Sequence, residues 1–256
     1  MVLLDAVLIV LAGVVAGVMN AVVGAGTLVT FPTLLLLGYP AVLANVSNTV
    51  GLVPGSVMAA IGYRATLKGR GPVIMRLILA ATVGGVTGGA LLVLLPGRAF
   101  DVIIPWLLLL SAVLAALQPR ISAAVGVRRA ARGHSVDSVT VGWGVFGLVL
   151  LSGVYGGYFG AAQGVILLVI LGLALGGPLN ELNGVKNILA GTANLVAALL
   201  FIAISDVDWV VAALVATGAT IGGGLGGRYG RRLPSSVLRV LLVGIAVIAA
   251  AVRFLD

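Results

Sequence analysis

Eight apolar stretches, at roughly 3–38, 41–63, 71–95, 100–117, 139–176, 179–204, 208–227 and 236–255, take up most of this chain. A helix needs about 20 apolar residues to cross about 30 Å of hydrocarbon, and all but the first and fifth stretches have a length near that. Of 256 residues, 61% are hydrophobic and 9% charged. Even a 300-residue globule buries only about 75% of its surface, so a water-facing core cannot hide this much apolar material. The chain reads as an all-α polytopic membrane protein of about eight transmembrane segments, and a soluble enzyme is excluded. With no cysteine, disulfides, thiolate metal sites and cysteine nucleophiles are excluded as well.

The stretches 3–38 and 139–176 are too long for one crossing and short for two. Small residues interrupt each in the middle: Gly24-Ala25-Gly26 in the first, Gly156-Gly157 and Gly160-Ala161-Ala162 in the second. Each reads as a broken or re-entrant helix hairpin. They also occupy matching places in an internal duplication. A shift of 136 aligns Gly17-Val18 with Gly153-Val154 and Gly24-Ala25 with Gly160-Ala161. A shift of 138 then aligns Pro40 with Pro178, Asn45 with Asn183, Thr82 with Thr220, Gly88-Gly89 with Gly226-Gly227 and Leu95-Pro96 with Leu233-Pro234.

Loop charges indicate how the halves are related. The loop after the second stretch carries Arg64, Lys68, Arg70 and Arg76, whereas its counterpart carries Asp206 and Asp208. The next loop reverses the bias, with Arg98 and Asp101 in half one and Arg228, Arg231, Arg232 and Arg239 in half two. Basic loops stay on the cytoplasmic side, so equivalent loops are expected on opposite faces and the repeats are expected to be inverted. The organisation predicted is a first transmembrane repeat over 1–117, a basic cytoplasmic linker over 118–138 and a second repeat over 139–256. Both termini then lie outside the cell. The N-terminal Met1-Val2-Leu3-Leu4-Asp5 has no positive leader region and reads as the start of a first membrane segment. The net charge of +8 sits in loops between apolar runs, without a basic stripe interleaved with aromatics, which argues against a nucleic-acid partner.

Inverted repeats with broken helices are the pattern of secondary transporters, whose sites form where half-helix ends meet. Broken helices offer backbone N–H groups and positive dipole ends that suit an anion. Beside the breaks lie Asn20, Gly24, Gly26 and Thr27, then Gly160 and Gln163. Asn45, Asn48 and Thr49 fall at i, i+3 and i+4 on one helix face, and Asn183, Lys186 and Asn187 repeat that spacing. All of these are candidate substrate-binding residues, with Lys186 the cation for an anionic substrate. The same Asn faces also fit interhelical hydrogen bonding, and Lys186 also fits a pair with Glu181 or a snorkelling role. Gly85-x-x-x-Gly89 and Gly223-x-x-x-Gly227 read as packing seams. Metal hydrolysis needs clustered His or carboxylates. The single His134 lies in the linker, so neither enzyme nor metal centre is expected, and no cofactor is implied. A carrier or channel for another small inorganic or carboxylate anion is the alternative reading.

With these motifs placed, the chain resembles the sulfite exporter TauE/SafE family. The resemblance rests on Gly17-Val18-Met19-Asn20-Ala21-Val22-Val23-Gly24-Ala25-Gly26 with Pro32, and on Ala44-Asn45-Val46-Ser47-Asn48-Thr49. In half two it rests on Leu182-Asn183-Gly184-Val185-Lys186-Asn187 and on the run from Asn194 to Phe201 ahead of Val207-Asp208-Trp209. It implies a multi-pass carrier in a prokaryotic cell membrane that exports small sulfur-containing anions such as sulfite, sulfoacetate or other organosulfonates. Glu181 and Lys186 are the coupling candidates should export use the proton gradient. The small-residue seams fit a homodimer in the bilayer.

Overall fold

The computed structural model describes residues 3–67, 71–131, 142–175 and 178–229. Among them all regular structure is helical: α1 (Leu3–Val22), α2 (Thr27–Leu36), α3 (Ala41–Tyr63), α4 (Gly71–Leu94), α5 (Gly97–Ala131), α6 (Trp143–Tyr158), α7 (Gln163–Ala174), α8 (Leu179–Ile204) and α9 (Trp209–Tyr229). Six of these, α1, α3, α4, α5, α8 and α9, are long and apolar enough to cross a membrane. Lipid offers backbone groups no hydrogen bonds, so a spanning chain satisfies them within helices. Large apolar side chains such as Leu79, Leu148 and Leu199 stand exposed on α4, α6 and α8, as a lipid-facing surface requires.

The two long stretches each fold as two helices separated at the expected small residues. The stretch 3–38 gives α1 and the short α2; the stretch 139–176 gives the 16-residue α6 and the 12-residue α7. The two breaks share one hydrogen-bond pattern. Met19 O accepts from Val23 N and Gly24 N, both at 2.8 Å, and Tyr155 O accepts from Phe159 N at 2.9 Å and Gly160 N at 3.0 Å. Gly24 and Gly160 follow with φ of 80° and 75°, the left-handed conformation in which a side chain costs about 1–2 kcal/mol.

Packing crosses between the halves. α1 packs mainly on α9 and α6 mainly on α4, while α3 and α8 lie against each other and against those pairs. Glycine makes this possible. On α4, Gly84 and Gly88 face α6 while Gly85 and Gly89 face α8; a methyl at Gly85 would come within 2.6 Å of Val196 Cγ2 and 2.8 Å of Ala193 O. On α9, Gly218 and Gly222 abut α1 while Gly223 and Gly227 abut Gly55 and Gly62 of α3. Each GxxxG pattern is thus one edge of a double seam, and backbones meet where a Cβ would hold them apart.

Contacts between loops identify the ends of the bundle. At the C-terminal end of α3, Thr66 Oγ1 donates to Asn180 O at 3.4 Å, and a methyl on Gly184 would meet Leu67 Cδ2 at 2.8 Å. The Arg76 guanidinium lies 5.3 Å from the centroid of the Trp143 ring. Val42, at the other end of α3, lies against Gly97. Burial, then the Asp208 and Asp5 carboxylates, push the Tyr39 phenol above its usual pKa. Asp208 Oδ1 accepts from Val210 N and Val211 N at 3.0 Å each and caps α9, while its own N–H donates to Ser47 Oγ at 2.9 Å.

The stretch expected to link the two halves begins as helix. α5 runs on through Pro119 to Ala131, into the stretch read from its charge as linker. Charge ends an apolar run without ending a helix, and the helix continues past Pro119 despite the backbone donor that proline removes. The remainder of the linker with His134, the basic residues Arg231, Arg232 and Arg239, the Leu233-Pro234 match and the stretch 236–255 lie outside the described residues.

Candidate functional site

The functional candidates converge on the C-terminal ends of α1 and α6, where each long stretch breaks. A helix leaves its last four carbonyls without partners inside the helix, and they carry the negative end of its dipole. In a bilayer such groups need donors from the protein. The donors come crosswise. Lys186 of α8 donates from Nζ to Ala21 O at 3.3 Å and to Val22 O at 3.4 Å. Asn187 Nδ2 donates to Ala21 O at 3.2 Å. Asn45 of α3 donates from Nδ2 to Tyr158 O at 3.0 Å, at the end of α6. The polar face of each half therefore caps the broken helix of the other.

Lys186 is fully buried. It does not snorkel, and Glu181 lies in the first turn of α8, five residues earlier and so about 140° away around the helix. The lysine that sequence reasoning set aside for an anion holds the end of α1.

The breaks also touch each other. Gly164 N donates to Gly24 O at 3.0 Å, and a methyl on either glycine would overlap the other's backbone. Gly26 stands at the N-cap of α2, with Thr27 buried as its first helical residue, and Ala162 stands at the N-cap of α7. Neither cap makes a side-chain hydrogen bond. The two short helices thus begin near each other, inside the protein, with their positive ends uncapped by side chains.

Other candidates serve their surroundings. Asn20 Nδ2 donates to Ser56 Oγ at 3.1 Å, and Gln163 Nε2 donates to Ser152 O at 3.0 Å. Gln163 lies so close to Gly156 that a methyl there would overlap its amide. Thr49 Oγ1 donates back to Asn45 O at 2.8 Å, within its own helix. In contrast, Asn45 Oδ1, both amide atoms of Asn48, and Asn183 Oδ1 are buried without a hydrogen-bond partner among the described residues. Buried polar atoms are nearly always paired. These four form two separate groups, Asn45 and Asn48 in the first two turns of α3 and Asn183 in the second turn of α8, which packs by Thr66 and Leu67 at the other end of α3.

Two features escaped the sequence reading. Ser111 of α5 and Tyr155 of α6 both reach the Ala161 carbonyl, at 3.1 and 2.5 Å, with their hydroxyls 2.7 Å apart. A lone hydroxyl after four leucines was the available signal. Phe31, Phe100, Tyr158 and Phe159 stack edge to face, with Phe31 and Phe159 centroids 5.2 Å apart and Phe100 and Tyr158 centroids 5.5 Å apart. They pack the end of α6 against α2 and α5. Scattered singly through the sequence, they carried no periodic signal. Among the described residues no group of His, Asp or Glu can hold a metal ion.

Comparison with known proteins places the sequence among membrane transporters. The sequence profile described as Sulfite exporter TauE/SafE matches residues 9–253. "Probable membrane transporter protein ORF9" of a Sinorhizobium species is 29% identical over 252 residues, covering 95% of this chain and 90% of its own length. A "Probable membrane transporter protein" of Haemophilus influenzae is 23% identical over 90% of this chain and 87% of its own. "Probable membrane transporter protein YfcA" of Escherichia coli is 26% identical over 94% of this chain and 86% of its own. No solved structure matches.

Proposed function

The chain belongs to the sulfite exporter TauE/SafE family, and from that premise we propose that it exports a small sulfur-containing anion, such as sulfite, sulfoacetate or another organosulfonate. It is a multi-pass membrane transporter and not an enzyme. The observation that carries the substrate reading is the meeting of the two helix breaks at Gly24 and Gly164, with the N-termini of α2 and α7 uncapped by side chains. The positive dipole ends of two such helices favour an oxyanion between them, although the first N–H groups of α7 are already paired with backbone carbonyls. The unpartnered amides of Asn45 and Asn48 supply further polar contacts.

The same arrangement supports a reading of alternating access. Each half holds the other's broken helix, so a rocking of one repeat against the other exchanges caps at both breaks together. The inverted relation is supported by the loops. The basic segment around Arg64 and Arg76 gathers at one end of α3, while Asp208, whose N–H meets Ser47, lies toward the other. With basic loops cytoplasmic, the protein sits in the cell membrane of a prokaryote with its N-terminus outside.

Purified protein in liposomes loaded with radiolabelled sulfite, sulfoacetate or sulfate tests the reading. Saturable efflux of sulfite or a sulfonate above protein-free liposomes is expected. No flux of any sulfur anion overturns it.

A further inference from the structure

The duplicated breaks are alike in backbone and unlike in charge. At the end of α1, Lys186 Nζ donates to two carbonyls. The position matching Lys186 in half one is Asn48, three residues beyond Asn45 on the same face of α3. Among the described residues no cation is recorded in hydrogen bond with the end of α6. Instead Asn48 is fully buried with Oδ1 and Nδ2 both unpartnered among the described residues, and Asn45 leaves Oδ1 unpartnered while its Nδ2 holds Tyr158 O.

The geometry points to a binding site for a small monovalent cation of sodium's size at the end of α6, formed by Asn45 Oδ1, Asn48 Oδ1 and the second lone pair of the Tyr158 carbonyl. Hard cations take oxygen ligands, and sites for divalent ions add carboxylates; these ligands are neutral, which selects a single charge. The negative end of α6 favours a cation there for the same reason that the end of α1 holds Lys186. The bound ion does for α6 what Lys186 does for α1. Resting here on the transport reading above, it also makes the two halves electrostatically alike around an anion bound between the breaks.

Thermal unfolding of the purified protein in detergent tests the site with no sulfur anion present, sodium chloride being exchanged for choline chloride at constant ionic strength. Wild type is expected to show a saturable rise of Tm with sodium. Asn48→Ala is expected to lose that rise. Asn48→Lys, which puts a lysine where half two has one, is expected to have a raised Tm in choline and no response to sodium. Identical wild-type curves in the two salts, or a full sodium response in both variants, overturns the site. Should neither variant fold, titration calorimetry of sodium into wild type decides, and no saturable binding overturns it. Sulfite flux without a sodium response removes the cation site and leaves the transport reading standing. A sodium response without sulfur-anion flux does the reverse.

Discussion

The backbone N–H of Gly164 donates to the carbonyl of Gly24 at 3.0 Å, which joins the two helix breaks directly. Gly24 has φ 80° and no room for a methyl group against Gly164. Gly24→Ala therefore suffers both the left-handed cost of about 1–2 kcal/mol and a separation of the breaks. Gly38 is the control, since it has φ 85° with nothing within 4 Å of an added methyl. Gly38→Ala should lower the Tm in detergent by the conformational cost alone and keep sulfite flux. Gly24→Ala should lower it further and abolish flux. Equal behaviour of the two variants in both assays would show that the contact between the breaks is dispensable.

Lys186→Ala leaves Val22 O without its donor and Ala21 O with Asn187 alone. An unsatisfied buried group costs about 1–3 kcal/mol, so the variant should unfold at lower denaturant concentration. Lys186→Gln keeps a donor and should recover part of that loss. Asn187→Ala should cost less than Lys186→Ala, because Lys186 still serves Ala21 O. Chemical denaturation of the three variants ranks them.

Much of this architecture was legible because a bilayer simplifies the problem. The ends of α3 and α8 fall where the apolar runs 41–63 and 179–204 end, since hydrocarbon thickness fixes helix length. The breaks were legible from paired small residues at Gly24 and Gly160, which the left-handed backbone requires. Their partners were not. Asn45 and Lys186 were visible as polar faces, but that each caps the opposite half's helix depends on how α3 and α8 pack, and a face carries no label for its neighbour. That the stretch from 118 begins as a continuation of α5 was not legible from its charge, because charge ends an apolar run without ending a helix.

Ser111 and Tyr155 share one acceptor, Ala161 O, and touch each other. Ser111→Ala and Tyr155→Phe should therefore be non-additive in a double-mutant cycle on Tm, with a coupling of about 0.5–3 kcal/mol. Additive effects would mean that the two hydroxyls act independently on the break before α7.

Thr66→Cys and Asp206→Cys report the sidedness of equivalent loops. The chain has no cysteine of its own, so each variant carries one reporter. An impermeant maleimide added to intact cells should label position 206 and leave position 66 unlabelled until the cells are opened. Labelling of both from outside would place the two loops on one face and remove the inverted arrangement.

The exchange of partners, with α1 on α9 and α6 on α4, has a consequence for how the protein is made. Val22 and Trp209 are far apart in the order of synthesis, and at 5–20 residues per second a ribosome takes roughly 10–40 s to pass from one to the other. Over that interval α1 lies in the membrane with its glycine edge against lipid, secure as a single helix but without its mate. The first half cannot mature as it emerges. The contact of α1 with α9 therefore forms only after most of the chain has been made.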